Sequence, residues 1–102
     1  MEKKTPHTSL AVIKAMVTAQ KYRTTMTATT TAKSVLGGQV TAQTLANHVL
    51  ALKPSDFYKA MTDDYDHKRW HEVYRPILAN GVQLYIKLII QDDVLIVSFK
   101  EK

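Results

Sequence analysis

The sequence predicts an α+β fold in one domain, residues 1–102, with helices first and a mainly antiparallel sheet after them. Apolar residues recur at helical spacing in the first half, and β-branched and aromatic residues dominate after Pro54. Asn80-Gly81 and Asp92-Asp93 then stand between alternating runs as tight reversals. A chain of 102 residues buries roughly 60–70% of its unfolded surface in a single core, which leaves no room for a multidomain enzyme.

The first helix is expected over residues 6–20, because the Thr5 hydroxyl caps orphan amides, Pro6 loses no bond at the first helical position, and Leu10, Ile13, Met16 and Val17 form a stripe. A short strand follows at residues 22–25. The segment from Thr24 to Thr31 is rich in threonine, a poor helix former, yet Thr27 is a suitable cap for a helix that runs to Leu36 and stops at Gly37-Gly38. A third helix starts at Thr41, carries Leu45, Val49 and Leu50, and ends at Lys53 under the restriction imposed by Pro54. Strands are expected at residues 56–61, 70–79, 82–91 and 94–100.

The last hairpin has a register that can be worked out. A two-residue Asp92-Asp93 loop pairs Ile90 with Leu95, Leu88 with Val97 and Ile86 with Phe99 as one apolar face. The opposite face then sets Tyr85 across from Lys100 and Lys87 across from Ser98, with Ile89 and Ile96 nearer the turn. A phenol beside two ammonium groups is the consequence.

Charge and cysteine usage narrow the chemistry. Lys and Arg number 14 against 9 Asp and Glu, a net charge of +5 that favours a polyanion or an acidic protein as partner. The chain has no cysteine, which excludes disulfides, thiol nucleophiles and Cys-ligated metals and fits a reducing cytoplasm. Lys14 splits the apolar run from Leu10 to Val17 too early for a secretory signal, and no segment is long enough to cross a membrane.

Metal, serine and nucleotide chemistry find little support. Asp63-Asp64-Tyr65-Asp66-His67 lacks the glycine and distal glutamate of a calcium loop and reads as a solvated turn, so no metal site is expected. No serine sits in a nucleophile elbow, no glycine-rich phosphate loop occurs, and no cofactor is expected. What remains on the strands is Tyr58, Lys59, His71, Tyr74, Arg75, Tyr85, Lys87 and Lys100. Such groups suit cleavage of RNA without a metal, in which the 2′-hydroxyl attacks phosphorus while side chains move protons and neutralise phosphate oxygens. Each alone is an ordinary strand residue, a tyrosine packing half-buried or a lysine guarding an edge. A non-catalytic module that binds RNA or an acidic protein is the alternative, with the tyrosines stacking on bases.

Four segments resemble the motility quorum-sensing regulator (MqsR) family of bacterial toxins: Thr5-Pro6-His7-Thr8, Ser55-Asp56-Phe57-Tyr58-Lys59, Val73-Tyr74-Arg75-Pro76 and the ten residues from Asp93 to Lys102. The likeness is weak from Met26 to Lys53. The resemblance implies a RelE-like fold, cleavage of mRNA at GC-containing sites, a cognate MqsA-like antitoxin as partner, the ribosome as a further candidate partner, and a cytoplasmic setting. Carried over by position, it implies active-site roles for Lys59, Tyr85 and Lys100, the last two being the pair that the hairpin register brings together. His71 stands where the family has glutamine, and imidazole, unlike an amide, can carry a proton.

The expected catalytic set is therefore Lys59, His71, Tyr85 and Lys100, with Tyr58, Arg75 and Lys87 binding RNA. One geometric conflict accompanies it. A two-residue Asn80-Gly81 turn with regular pairing aims His71 and Arg75 away from Tyr85, so a β-bulge at Pro76 is expected to turn them back. Without that bulge, Glu72 and Tyr74 would take their places.

Overall fold

In a computed structural model describing residues 1–102, three helices cover one face of a six-stranded sheet and leave the other face open. The strands are β1 (Glu2–Lys3), β2 (Tyr22–Thr24), β3 (Phe57–Thr62), β4 (Trp70–Tyr74), β5 (Leu84–Ile90) and β6 (Val94–Glu101). Their order across the sheet is β1-β3-β4-β5-β6-β2. All neighbours are antiparallel except β2 and β6. The α+β RelE-like architecture read from the sequence is thus present.

Helix α1 (Leu10–Thr18) begins four residues later than expected for a physical reason. The buried Glu72 carboxylate accepts the His7 amide at 3.0 Å and the Thr8 amide at 3.1 Å, holding that stretch outside the helix. Ser9 becomes the cap, accepting from Val12 N, and the segment before it supplies strand β1, which the sequence reading lacked. Helix α2 (Met26–Leu36) is capped by Thr25, not Thr27, and ends at Gly37, whose φ of +71° only glycine adopts freely. Helix α3 (Ala42–Leu50) starts in a reciprocal Thr41/Thr44 capping box.

Ile13, Val17, Ala28, Ala32, Leu45 and Val49 from the helices meet Ile86, Leu88, Ile96 and Phe99 from the sheet, all fully or almost fully buried. Each large aliphatic in that layer contributes about 1.5–3 kcal/mol.

Two loop lengths decide which side chains reach the open face. Leu78 N donates to Val82 O, so the β4–β5 connection is a three-residue loop, Ala79-Asn80-Gly81, with Gly81 at φ +87°. An odd loop shifts the pairing by one and puts His71 opposite Ile89 and Val73 opposite Lys87 on the open face. The expected bulge at Pro76 is absent from this ladder and unnecessary: the loop does its work. Glu72 and Tyr74 turn to the helices and are buried. Strand β4 ends at Tyr74, short of residue 79, with Ile77 and Gln83 forming only an isolated bridge beyond Pro76.

The β5–β6 turn likewise differs from expectation. Ile90 pairs with Val94, not Leu95, across a three-residue Gln91-Asp92-Asp93 turn, and Leu88 pairs with Ile96, not Val97. A bulge at Val97 then restores the expected pairing, Lys87 with Ser98, Ile86 with Phe99 and Tyr85 with Lys100. The two deviations cancel at the site. Near the turn they exchange faces: Ile96 enters the core while Leu95 and Val97 stay half-buried.

Candidate active site

The open face carries a transverse row, Lys59, Val73, Lys87 and Ser98, one residue from each of four adjacent strands. Val73 is completely buried and pairs with Lys59 on one side and Lys87 on the other, so a fully apolar residue sits between the two cations. Met61, His71, Ile89 and Leu95 form the next row on one side, and Tyr85 with Lys100 lies on the other.

The register shift between Phe57 and Lys59 makes Tyr58 a bulge residue. Such a bulge sends consecutive side chains toward one side, and Tyr58 joins Lys59 there while Phe57 packs on the core. The Tyr58 ring is ringed by cations: the Arg75 guanidinium carbon lies 4.2 Å from its centroid, Lys4 Nζ 4.9 Å and Lys59 Nζ 5.5 Å. Tyr85 is flanked in the same way, with Lys100 Nζ at 5.3 Å and Lys87 Nζ at 5.9 Å.

These groups share one electrostatic environment. Lys87 is driven below the ordinary lysine range by burial first, then by the charges of Lys100 and Lys59, with Asp63 and Asp64 pulling weakly the other way. Lys59 is shifted upward, chiefly because its ammonium donates to Glu2 Oε1 at 2.6 Å. That same bond holds the Glu2 carboxyl below its usual value.

A cleft at the other end of the row is lined by Met61, Asp63, Tyr65, His71 and Lys87. His71 Nε2 lies 3.0 Å from Asp63 Oδ2, both side chains being largely shielded, at 17% and 18% exposure. Asp63 also accepts Tyr65 N at 2.8 Å, and these two bonds, the backbone one foremost, depress its carboxyl. Asp66 accepts Lys68 N in the same loop, so two of its acids close turns.

The seven residues expected to form the site share one face, Lys59, His71, Tyr85 and Lys100 with Tyr58, Arg75 and Lys87, while Tyr74, the eighth strand candidate, turns into the core. Sequence reasoning missed Glu2, Lys4 and the pairing of Asp63 with His71. Glu2 and Lys4 reach the site only because β1 adds to the β3 edge, Glu2 pairing with Met61, and a two-residue strand leaves no periodic signal.

The "mRNA interferase toxin MqsR" of Escherichia coli (strain K12) is 48% identical to this chain over 102 residues, covering 100% of both. The family described as "Motility quorum-sensing regulator, toxin of MqsA" matches residues 5–101. With so little of the sequence outside that match, the chain belongs to the motility quorum-sensing regulator family, toxins of MqsA.

Proposed function

We propose that this protein is an mRNA interferase, a toxin that cleaves messenger RNA by metal-independent attack of the 2′-hydroxyl and so arrests translation and growth. The observation that carries this reading is the gathering of Lys87 and Lys100 around Tyr85 on an open sheet face, with Lys59 in the adjacent row and His71 on the same face. Lys59 and Lys100 neutralise the phosphate oxygens as negative charge builds on them. His71 takes the proton of the 2′-hydroxyl as its oxygen bonds to phosphorus. Tyr85 hands a proton to the departing 5′-oxygen, and the proton taken up by His71 returns through water to the Tyr85 phenolate, which resets both groups. The products are a 2′,3′-cyclic phosphate and a 5′-hydroxyl. Tyr58, Arg75 and Lys87 hold the flanking nucleotides by stacking and charge.

The substrate is mRNA cut at GC-containing sites, in the cytoplasm and with or without the ribosome, and an MqsA-like antitoxin holds the toxin in check. No helix is long and apolar enough to cross a membrane.

Incubation of the purified protein with a synthetic RNA in excess EDTA, followed by end-group analysis, is the direct test. Cleavage leaving 2′,3′-cyclic phosphates is expected, and strict dependence on added Mg²⁺ would overturn the mechanism. Binding of RNA with no cleavage in any condition would favour the non-catalytic module instead.

A further inference from the structure

The contact between Asp63 and His71 is not explained by the lysine and tyrosine machinery. Asp63 leaves the end of β3 in the β3–β4 loop, His71 lies on β4, and the two meet in the cleft that Lys87 also lines. A second contact holds the carboxylate in place, since Asp63 accepts Tyr65 N through Oδ1 while Oδ2 faces the imidazole. The arrangement is built, not incidental: two bonds fix the acid, and both side chains are mostly shielded.

An ionised carboxylate only accepts hydrogen bonds. The imidazole nitrogen facing it must therefore carry a hydrogen, and in the neutral ring the other nitrogen is left with its lone pair. We infer that Asp63 is a positioning residue that locks His71 as the Nε2–H tautomer, so that Nδ1 is the nitrogen that exchanges a proton with the RNA. This inference rests on the nuclease reading for its consequence, but not for the tautomer itself.

In the reaction the O2′–H bond breaks and a bond from that hydrogen to Nδ1 forms, while O2′ bonds to phosphorus and the P–O5′ bond breaks. The imidazolium so produced sits against the Asp63 carboxylate, which stabilises its charge. The groups facing the ring are Asp63, Asp64 and Tyr65 from the loop, Lys87 from β5, and the apolar Met61 and Ile89 at its strand-pair positions. The Arg69 carbonyl accepts the Asp63 amide at 2.8 Å, and the Arg69 charge weakly favours the ionised Asp63 carboxylate. Of these, Asp63 is the charged group within hydrogen-bond distance of the ring.

Two measurements test this. Imidazole ¹⁵N spectra of the wild-type protein recorded on the neutral His71 ring should carry the signature of the Nε2–H tautomer, and an Nδ1–H signature would overturn the inference whether or not the protein cuts RNA. Asp63→Asn should lower kcat at least tenfold with KM within about twofold, and move the acidic limb of the pH–rate profile to lower pH. Asp63→Glu should recover part of the loss. In a His71→Gln background Asp63→Asn should have no further effect. An unmoved acidic limb, or an equal loss in the His71→Gln background, would refute the role. If Asp63→Asn does not fold, the wild-type spectra and Asp63→Glu kinetics decide. Absence of RNA cleavage by the wild-type protein would instead refute the nuclease reading.

Discussion

Lys59 donates to Glu2 at 2.6 Å, so a carboxylate from the edge strand β1 occupies a cation that lies in the row beneath Tyr58 and Tyr85. A phosphate approaching Lys59 must displace that carboxylate. Glu2→Gln is expected to strengthen RNA binding at low salt by about two- to fivefold, the worth of an exposed ion pair, and the gain should shrink as salt rises. Titration of a non-cleavable 2′-deoxy analogue at two ionic strengths checks this, and weaker binding would contradict it.

Lys100 and Tyr85 divide binding from chemistry. Lys100→Ala is expected to reduce cleavage about 10²–10³-fold, the usual cost of removing one preorganised stabilising group, while RNA affinity falls only several-fold. The slope of log K against log salt should flatten by about 0.7, one fewer counterion released from a single strand. Tyr85→Phe keeps the ring that Lys87 and Lys100 flank and removes only the hydroxyl. It should lose turnover with affinity little changed, read as kcat and KM from single-turnover kinetics.

Glu72 makes stability depend on pH in an unusual direction. Burial raises its carboxyl above the ordinary glutamate value, and the His7 and Thr8 amides oppose this without cancelling it. The folded protein thus holds this proton to higher pH than the unfolded chain does, so the contribution is complete below the unfolded value and is lost as pH rises through the folded one. Glu72→Gln removes that dependence, and its stability relative to wild type should improve steadily from acid to neutral pH in urea titrations. Glu72→Ala leaves two amides without their acceptor and should cost about 1–3 kcal/mol.

Tyr74 tests the assignment of faces. Its hydroxyl is buried without a hydrogen-bond partner in the protein, and desolvation pushes the phenol up to about 12. Tyr74→Phe should leave cleavage intact and keep or raise stability by up to about 1 kcal/mol. A loss of activity comparable to that of Tyr85→Phe would mean that β4 presents its other face.

How much of this was legible depended on whether a feature was local. Tyr85 and Lys100 were placed correctly because alternation fixes their side of the strands, even though a longer turn and the Val97 bulge each broke the assumed ladder and cancelled. His71 and Arg75 were aimed at the right face for the wrong reason, since whether Asn80-Gly81 forms a two- or a three-residue loop hinges on one hydrogen bond, Leu78 N to Val82 O. The early start assigned to α1 failed because Glu72, far away in sequence, takes the amides of His7 and Thr8. Asp63 was visible only as one of several turn acids. Nothing local says that the chain from Asp63 to His71 doubles back to bring them into contact.

The parallel pairing of β2 with β6 sets an order of events during synthesis. Strand β2 emerges early and has no other partner in the sheet, so it waits until β6 is made, and Lys100 arrives on that same strand. Non-local pairings of this kind, parallel ones included, are intrinsically slow to form because loop-closure entropy is lost before the contacts reward it. A nascent chain lacking β6 would leave the β5 edge bare and Tyr85 without its neighbour, so the poison is assembled only when its last strand zips in.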